Sequence, residues 1–292
     1  QKTAYEIPKR DWSSDVCSSD LTWTLSGAST YTGTTTISAG TLRLGASERI
    51  SNSSAVQIAN SATFDLNNYS ETVASIADVS GNTTGAITLG SGTLTVVGSA
   101  TATFSGVVSG TGGLTLGSSH SGMLTLANSA NTYTGATTIS GGTLSVGTLA
   151  NGGSNSSIGA STNGASNLVI SGGTLKYTGS SVSTDRNFTI NDGATGTIEV
   201  TTSGTELTVS GAAASSTGAL TKTGPGTLKL SGANAYTGTT TISAGKLKLG
   251  ASGVISDSSA VQIANSATFD LNNYSERSEE HTSELQSRFG IS

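Results

Sequence analysis

The chain has 292 residues and a net charge of −5, with 39 Gly, 2 Pro, 1 Cys, 11% charged and 5% aromatic side chains. Such a balance leaves no basic footprint for nucleic acid. One cysteine excludes a disulfide framework or a cysteine-ligated zinc site, and no apolar run of about 18 residues supplies a membrane-spanning helix. What remains is a repetitive β protein or a disordered low-complexity chain.

Composition breaks at both ends. Residues 1–21 hold the only Cys, and 277–292 are rich in charge. The C-terminal segment back-translates to a DNA whose reverse complement, read in another frame and preceded by the further bases CAGAAGACGGCATA, encodes Gln1 through Leu21. The two ends are thus expected to be one DNA segment translated in both orientations. That DNA resembles a short-read library adapter over its whole length. Segments 1–21 and 277–292 are therefore expected to be non-native, disordered tails and are set aside from fold reasoning. No charged–apolar–small leader opens the chain, which on this reading reflects a fragment.

Between the tails, Thr22–Glu71 and Thr227–Glu276 align without a gap at an offset of 205, and Ala55–Glu71 is identical to Ala260–Glu276. A shorter motif starts at Tyr31, Tyr133 and Tyr236: YTGTTTISAGTLRLG, YTGATTISGGTLSVG and YTGTTTISAGKLKLG. Internal repetition of this kind is read before local structure. Apolar–any–apolar triplets run through the whole interior. In chain order they include Leu42–Leu44, Val56–Ile58, Phe64–Leu66, Leu94–Val96, Leu114–Leu116, Leu124–Leu126 and Leu144–Val146. Leu175–Tyr177, Ile198–Val200, Leu207–Val209, Leu228–Leu230 and Leu247–Leu249 follow. The middle residue is often charged, as at Arg43, Asp65, Lys176, Glu199, Lys229 and Lys248. That is period two, with one face buried and one wet.

Gly, Asn, Ser and Thr separate the triplets as turn residues. Strands this short suit a solenoid, in which each strand is one side of a coil stacked on the next. Coils about 4.8 Å apart let each backbone pair with the coils above and below. Another all-β fold and a disordered linker are the rivals. A random linker would not place Arg and Lys between paired leucines, so 22–276 is expected to be an all-β solenoid with Leu247 and Leu249 inside.

The three YTG-x-TTIS-x-G-x-L-x-x-G motifs resemble the autotransporter-associated β-strand repeat, the passenger-associated transport repeat. Leu220–Gly250 is the fullest copy, and Ala62–Ile76 is similar to the connecting segment common in such passengers. The resemblance implies a right-handed parallel β-helix belonging to the passenger of a type V secreted protein of a Gram-negative bacterium. It further implies a C-terminal outer-membrane β-barrel in the same polypeptide, a cell-surface or extracellular location, and a stalk that contributes sequential folding energy during export. One rival is an adhesin engaging surface or carbohydrate ligands through the solenoid side. Another is a polysaccharide-acting enzyme on the same fold.

Catalytic chemistry needs convergent polar groups, and none is assigned: no catalytic, cofactor-binding or metal residues are expected. His120 lies between Ser119 and Ser121, but neighbours on extended backbone point to opposite faces, so His120 reads as an exposed loop residue. Glu199 and Glu206 read as a solvated pair, and Asp185 stands beside Arg186. Asp65 and Asp270 occupy the duplicated FDLNNY, where they suit turn capping or a cation. Thr34–Thr36, Thr137–Thr138 and Thr239–Thr241 are read as ladder or turn residues. A ligand-binding Thr array needs consecutive coils, and copies about 102 residues apart are several coils apart. Tyr31, Tyr133 and Tyr236 are expected to cover the coil edge. The cut ends are expected to expose strand edges and drive association.

Overall fold

A computed structural model describes residues 21–277; the two tails, Leu21 and Arg277 apart, lie outside the described residues. The alternation of apolar and polar residues produces 26 short strands, almost all of three to five residues. One 3-10 turn, Ala165–Asn167, is the only helical element among the described residues. Every strand pairing is parallel. Parallel neighbours cannot be joined by hairpins. Each strand therefore pairs one full coil later, which is the expected β-solenoid.

The strands form three walls. The first wall begins as Thr35–Ile37, Ala55–Ile58 and Ser75–Asp78. Ala102–Phe104 packs on Ser75–Asp78 and continues the wall as an eight-stranded sheet ending at Val261–Ile263. The second wall carries Thr22–Leu25, Thr41–Leu44, Thr63–Asp65, Ala86–Thr88 and Val107–Ser109, and further along Val182–Thr184, Glu206–Val209, Thr227–Leu230, Lys246–Leu249 and Thr268–Asp270. The third carries Glu71–Val73, Leu94–Val96, Leu114–Leu116, Thr137–Ile139 and Leu168–Ile170. Isolated parallel bridges, Val169 with Thr189, Phe188 with Ala213 and Ser216 with Tyr236, extend it.

Inward residues stack in columns. Leu42 pairs with Phe64 and Phe64 with Ile87. Leu144, Leu175 and Ile198 follow one another on the first wall, and Leu228 pairs with Leu247 on the second. All of these are buried in a single continuous core. Leu247 and Leu249 are fully enclosed, as expected.

The corners demand unusual backbone. In the duplicated turn, Asn67 and Asn68 both adopt positive φ, as do Asn272 and Asn273. Asparagine tolerates the left-handed region better than other non-glycine residues. Asp65 Oδ1 accepts the Asn67 N–H at 2.8 Å, and Asp270 Oδ1 accepts the Asn272 N–H at 2.9 Å. At another corner glycine is required for space. A Cβ on Gly112 would strike the carbonyl oxygen of Gly92 one coil below, and one on Gly135 would strike that of Gly112.

The 102-residue motif is out of phase with the coil. The TTI strand lies on the first wall in the first and third copies, at Thr35–Ile37 and Thr240–Ile242, but on the third wall in the second, at Thr137–Ile139. The 205-residue duplication is in phase. On the first wall, Thr240–Ile242 is the ninth strand after Thr35–Ile37.

Candidate interaction surface

Solenoid side chains alternate between core and solvent, so any ligand meets the outward rows of the walls. Threonines do form such rows on consecutive coils. Thr143, Thr174, Thr197, Thr221 and Thr241 are successive register partners on the first wall. Thr72, Thr95, Thr115 and Thr138 do the same on the third. The motif copies themselves stand several coils apart, as expected. Threonines outside the motif fill the intervening coils. No Asp, Glu, Lys or Arg occurs between Asp78 and Lys176, so the middle coils present an uncharged, hydroxyl-rich surface.

The motif threonines also divide by wall geometry. Thr137 and Thr240 point inward, while Thr138 and Thr241 point out. Tyr133 and Tyr236 are fully buried, not edge covers as expected. The reason is a buried hydroxyl chain. Tyr236 Oη lies 2.8 Å from Thr240 Oγ1, which lies 3.1 Å from Ser259 Oγ. Tyr133 Oη lies 2.7 Å from Thr137 Oγ1. Tyr31 is half-buried and keeps the same contact, at 2.6 Å from Thr35 Oγ1. Each phenol gains a partner, and burial pushes the Tyr133 and Tyr236 hydroxyls far above the ordinary tyrosine range.

The charged candidates are engaged with their neighbours. Arg43 Nε lies 2.7 Å from Asp65 Oδ2, Lys176 Nζ 3.5 Å from Glu199, and Lys248 Nζ 3.3 Å from Glu206. Glu199 and Glu206 lie on different walls. Lys246 Nζ lies 3.1 Å from Asp270. Partial burial pushes the Asp270 carboxyl up, and Lys246 with the Asn272 N–H more than reverses it. Asp185 accepts the Gly152 N–H at 2.7 Å. Among the described residues no cluster of three His, Cys, Asp or Glu gathers as metal ligands.

His120 departs from expectation. It is 3% exposed, and neither ring nitrogen has a hydrogen-bond partner. Ser119 and Ser121 stay exposed on the turn. No nucleophile–base pair forms. Burial holds the imidazole below its ordinary range, and the Gly98 carbonyl opposes that only partly.

Three buried charges were not singled out from sequence. Arg186 donates from Nε to Ala150 O at 2.9 Å, from Nη1 to Ser161 Oγ at 2.8 Å, and from Nη2 to Gly159 O at 2.9 Å. It pins the segment 147–164, a bulge in a coil that takes 31 residues from Leu144 to its partner Leu175. Lys222 Nζ donates to the carbonyls of Thr223, Gly224 and Ala244 at 2.7, 2.8 and 3.1 Å, and burial pulls it down to about 8. Glu71 accepts the Arg49 and Ile50 N–H groups at 2.8 and 2.7 Å, and burial pushes it up to about 7. A signal existed for Lys222 alone: it fills the second apolar position of the triplet Leu220–Thr221–Lys222.

Fold and repeats together define a repeat-built parallel β-solenoid. The passenger-associated-transport-repeat family matches residues 22–44, 120–146 and 220–249, which take in each of the three motifs up to its final glycine. The chain is similar to the adhesin BmaC autotransporter of Brucella suis biovar 1 (strain 1330), with 45% identity over 228 residues. The match takes in 76% of this chain and 6% of that protein. The resemblance to an autotransporter passenger, read from the YTG motifs, therefore holds. No solved structure matches the chain.

Proposed function

We propose that this chain is a length of the stalk of a surface-displayed autotransporter passenger, with a structural and adhesive, non-catalytic role. The observation that carries the reading is the unbroken parallel core, whose coils stack from Thr22–Leu25 to Thr268–Asp270. A rod of this kind projects whatever it bears, at about 4.8 Å per coil. On this reading the barrel of the same polypeptide holds the rod at the outer membrane, so the chain works outside the cell. The non-catalytic reading is supported by the candidate carboxylates Asp65, Asp185, Glu199, Glu206 and Asp270, which are engaged in ion pairs or accept backbone N–H groups.

The test fuses the chain between an export signal and an outer-membrane barrel in a Gram-negative host. Protease-accessible surface display of a folded segment is expected; retention inside the cell overturns the reading. Adhesion through the solenoid side is the second reading, favoured by the uncharged middle coils. Saturable binding of the purified chain to intact cells supports it, and binding no greater than that of an unrelated rod counts against it. Polysaccharide cleavage that disappears in Glu199→Gln or Asp185→Asn would instead establish an enzyme.

A further inference from the structure

The corner formed by Gly117–Gly122 sits between two other corners of the solenoid, one coil below and one above. Its turn is closed by the His120 N–H donating to Gly117 O at 2.9 Å and the Ser121 N–H donating to Gly98 O at 3.3 Å. The imidazole is buried at this turn. Gly142 of the coil above makes room for it, because a Cβ there would strike the ring. Both ring nitrogens are sealed from water and make no hydrogen bond of normal geometry; the one group that favours the charged ring is the Gly98 carbonyl, and burial outweighs it. A neutral imidazole tolerates that arrangement at modest cost, whereas a cation needs water or a counter-charge.

No counter-charge is at hand. The corner below is Val97–Thr101, the corner above is Ser140–Gly142, and the one beyond that is Ser171–Gly173; none contains an ionisable side chain. The flanking strands, Leu114–Leu116 and Met123–Leu126, contain none either. Tyr133 is the nearest titratable residue along the chain, and its hydroxyl is taken by Thr137 inside the core. The first acids outside the uncharged stretch are Asp78 and Asp185. Asp78 caps the Ser105 N–H, and Asp185 holds Gly152.

We propose that His120 is an acid-sensitive latch: neutral, it plugs the corner and locks three coils together; protonated, it leaves the core and opens that corner. This goes beyond the stalk reading, since it gives one site on an otherwise uniform rod a response to acid. The sign follows from linkage. The folded chain binds the proton less readily than the unfolded chain. The stabilisation is complete above the free imidazole value and is lost as pH falls below about 6.5. The closing equilibrium of the corner then falls tenfold per pH unit until the buried ring itself titrates.

The test is amide hydrogen exchange of the whole chain at pH 7.5 and 5.0, corrected for the intrinsic pH dependence of exchange. Protection over 114–126 and 137–146 is expected to fall at the lower pH, by up to about 30-fold. The coils around Leu207–Leu249 are expected to change much less. His120→Leu, neutral at every pH, is expected to abolish the difference. Equal corner protection at both pH values, or the same loss in His120→Leu, overturns the latch. Should His120→Leu fail to fold, the imidazole resonance decides, assigned with the help of His281→Gln. A midpoint below about 6.5 supports the latch, and one at or above it refutes the latch.

Discussion

At the scale of single residues, two positions show how little freedom a stacked coil allows. Gly112 has the Gly92 carbonyl directly beneath it, and backbone cannot swing aside as a side chain can. Gly112→Ala is expected to destabilise by about 1–3 kcal/mol, read as an earlier midpoint in urea. Glu71 is the second. Burial raises its carboxyl to about 7, so the folded chain holds that proton more firmly than the unfolded one. The contribution is fully present below the unfolded value near 4.5 and is lost as pH rises through 7. Over that interval Glu71 is expected to cost the fold about 3 kcal/mol. Glu71→Gln should flatten that part of the stability–pH curve; an unchanged slope would mean the carboxyl titrates normally. Neither position was legible in the sequence. Gly112 is one of 39 glycines, and Glu71 follows a turn like any surface acid. What singles them out is the neighbour one coil away, and sequence does not reveal the stacking partner.

At the scale of the element, strands were legible and loops were not. Leu247 and Leu249 announce an inward pair because Lys248 between them must face water, and they are enclosed. Leu247→Ala is expected to cost about 2–5 kcal/mol and to expose the amides of the Leu228 and Phe269 strands that flank it. The bulge at 147–164 has no apolar rhythm, so nothing in its own sequence explains its order. Its anchor comes from the following coil. Arg186 lends its guanidinium to the carbonyls of Ala150, Ser154, Gly159 and Ser161, leaving few of them unsatisfied in a dry setting. Arg186→Met is expected to release the bulge at a cost above about 3 kcal/mol. Limited proteolysis would then cut between Ala150 and Ser161 first, with the strand fragments on either side surviving. Cleavage spread evenly along the chain would show that Arg186 supports the whole rod.

At the scale of the whole molecule, the ion pairs contribute little. Arg43–Asp65 and Lys246–Asp270 are partly exposed, and pairs of that kind are worth under about 1 kcal/mol each. Raising salt should therefore shift the melting temperature only slightly; a large fall would give surface charge a weight the geometry does not. The strand edges at Thr22–Leu25 and Thr268–Asp270 have one neighbouring strand each among the described residues. The purified chain is accordingly expected to associate as concentration rises, which sedimentation velocity would detect. The solenoid class was legible because a period of two in very short strands has few other solutions. The wall that each strand joins was not, since coil length varies from 19 residues between Thr22 and Thr41 to 31 between Thr143 and Thr174.

The phase of the duplication bears on how such a rod changes length. Thr35–Ile37 and Thr240–Ile242 stand on one wall, nine coils apart, and Ala55–Glu71 and Ala260–Glu276 are identical. A misaligned genetic exchange between those identical stretches deletes or inserts 205 residues, a whole number of coils. Every strand beyond the crossover then meets the same neighbours as before. An exchange between adjacent 102-residue copies instead turns the downstream rod onto a different wall and sets leucine columns against turns. The longer duplication is therefore the quantum in which this architecture can grow or shrink without refolding its core.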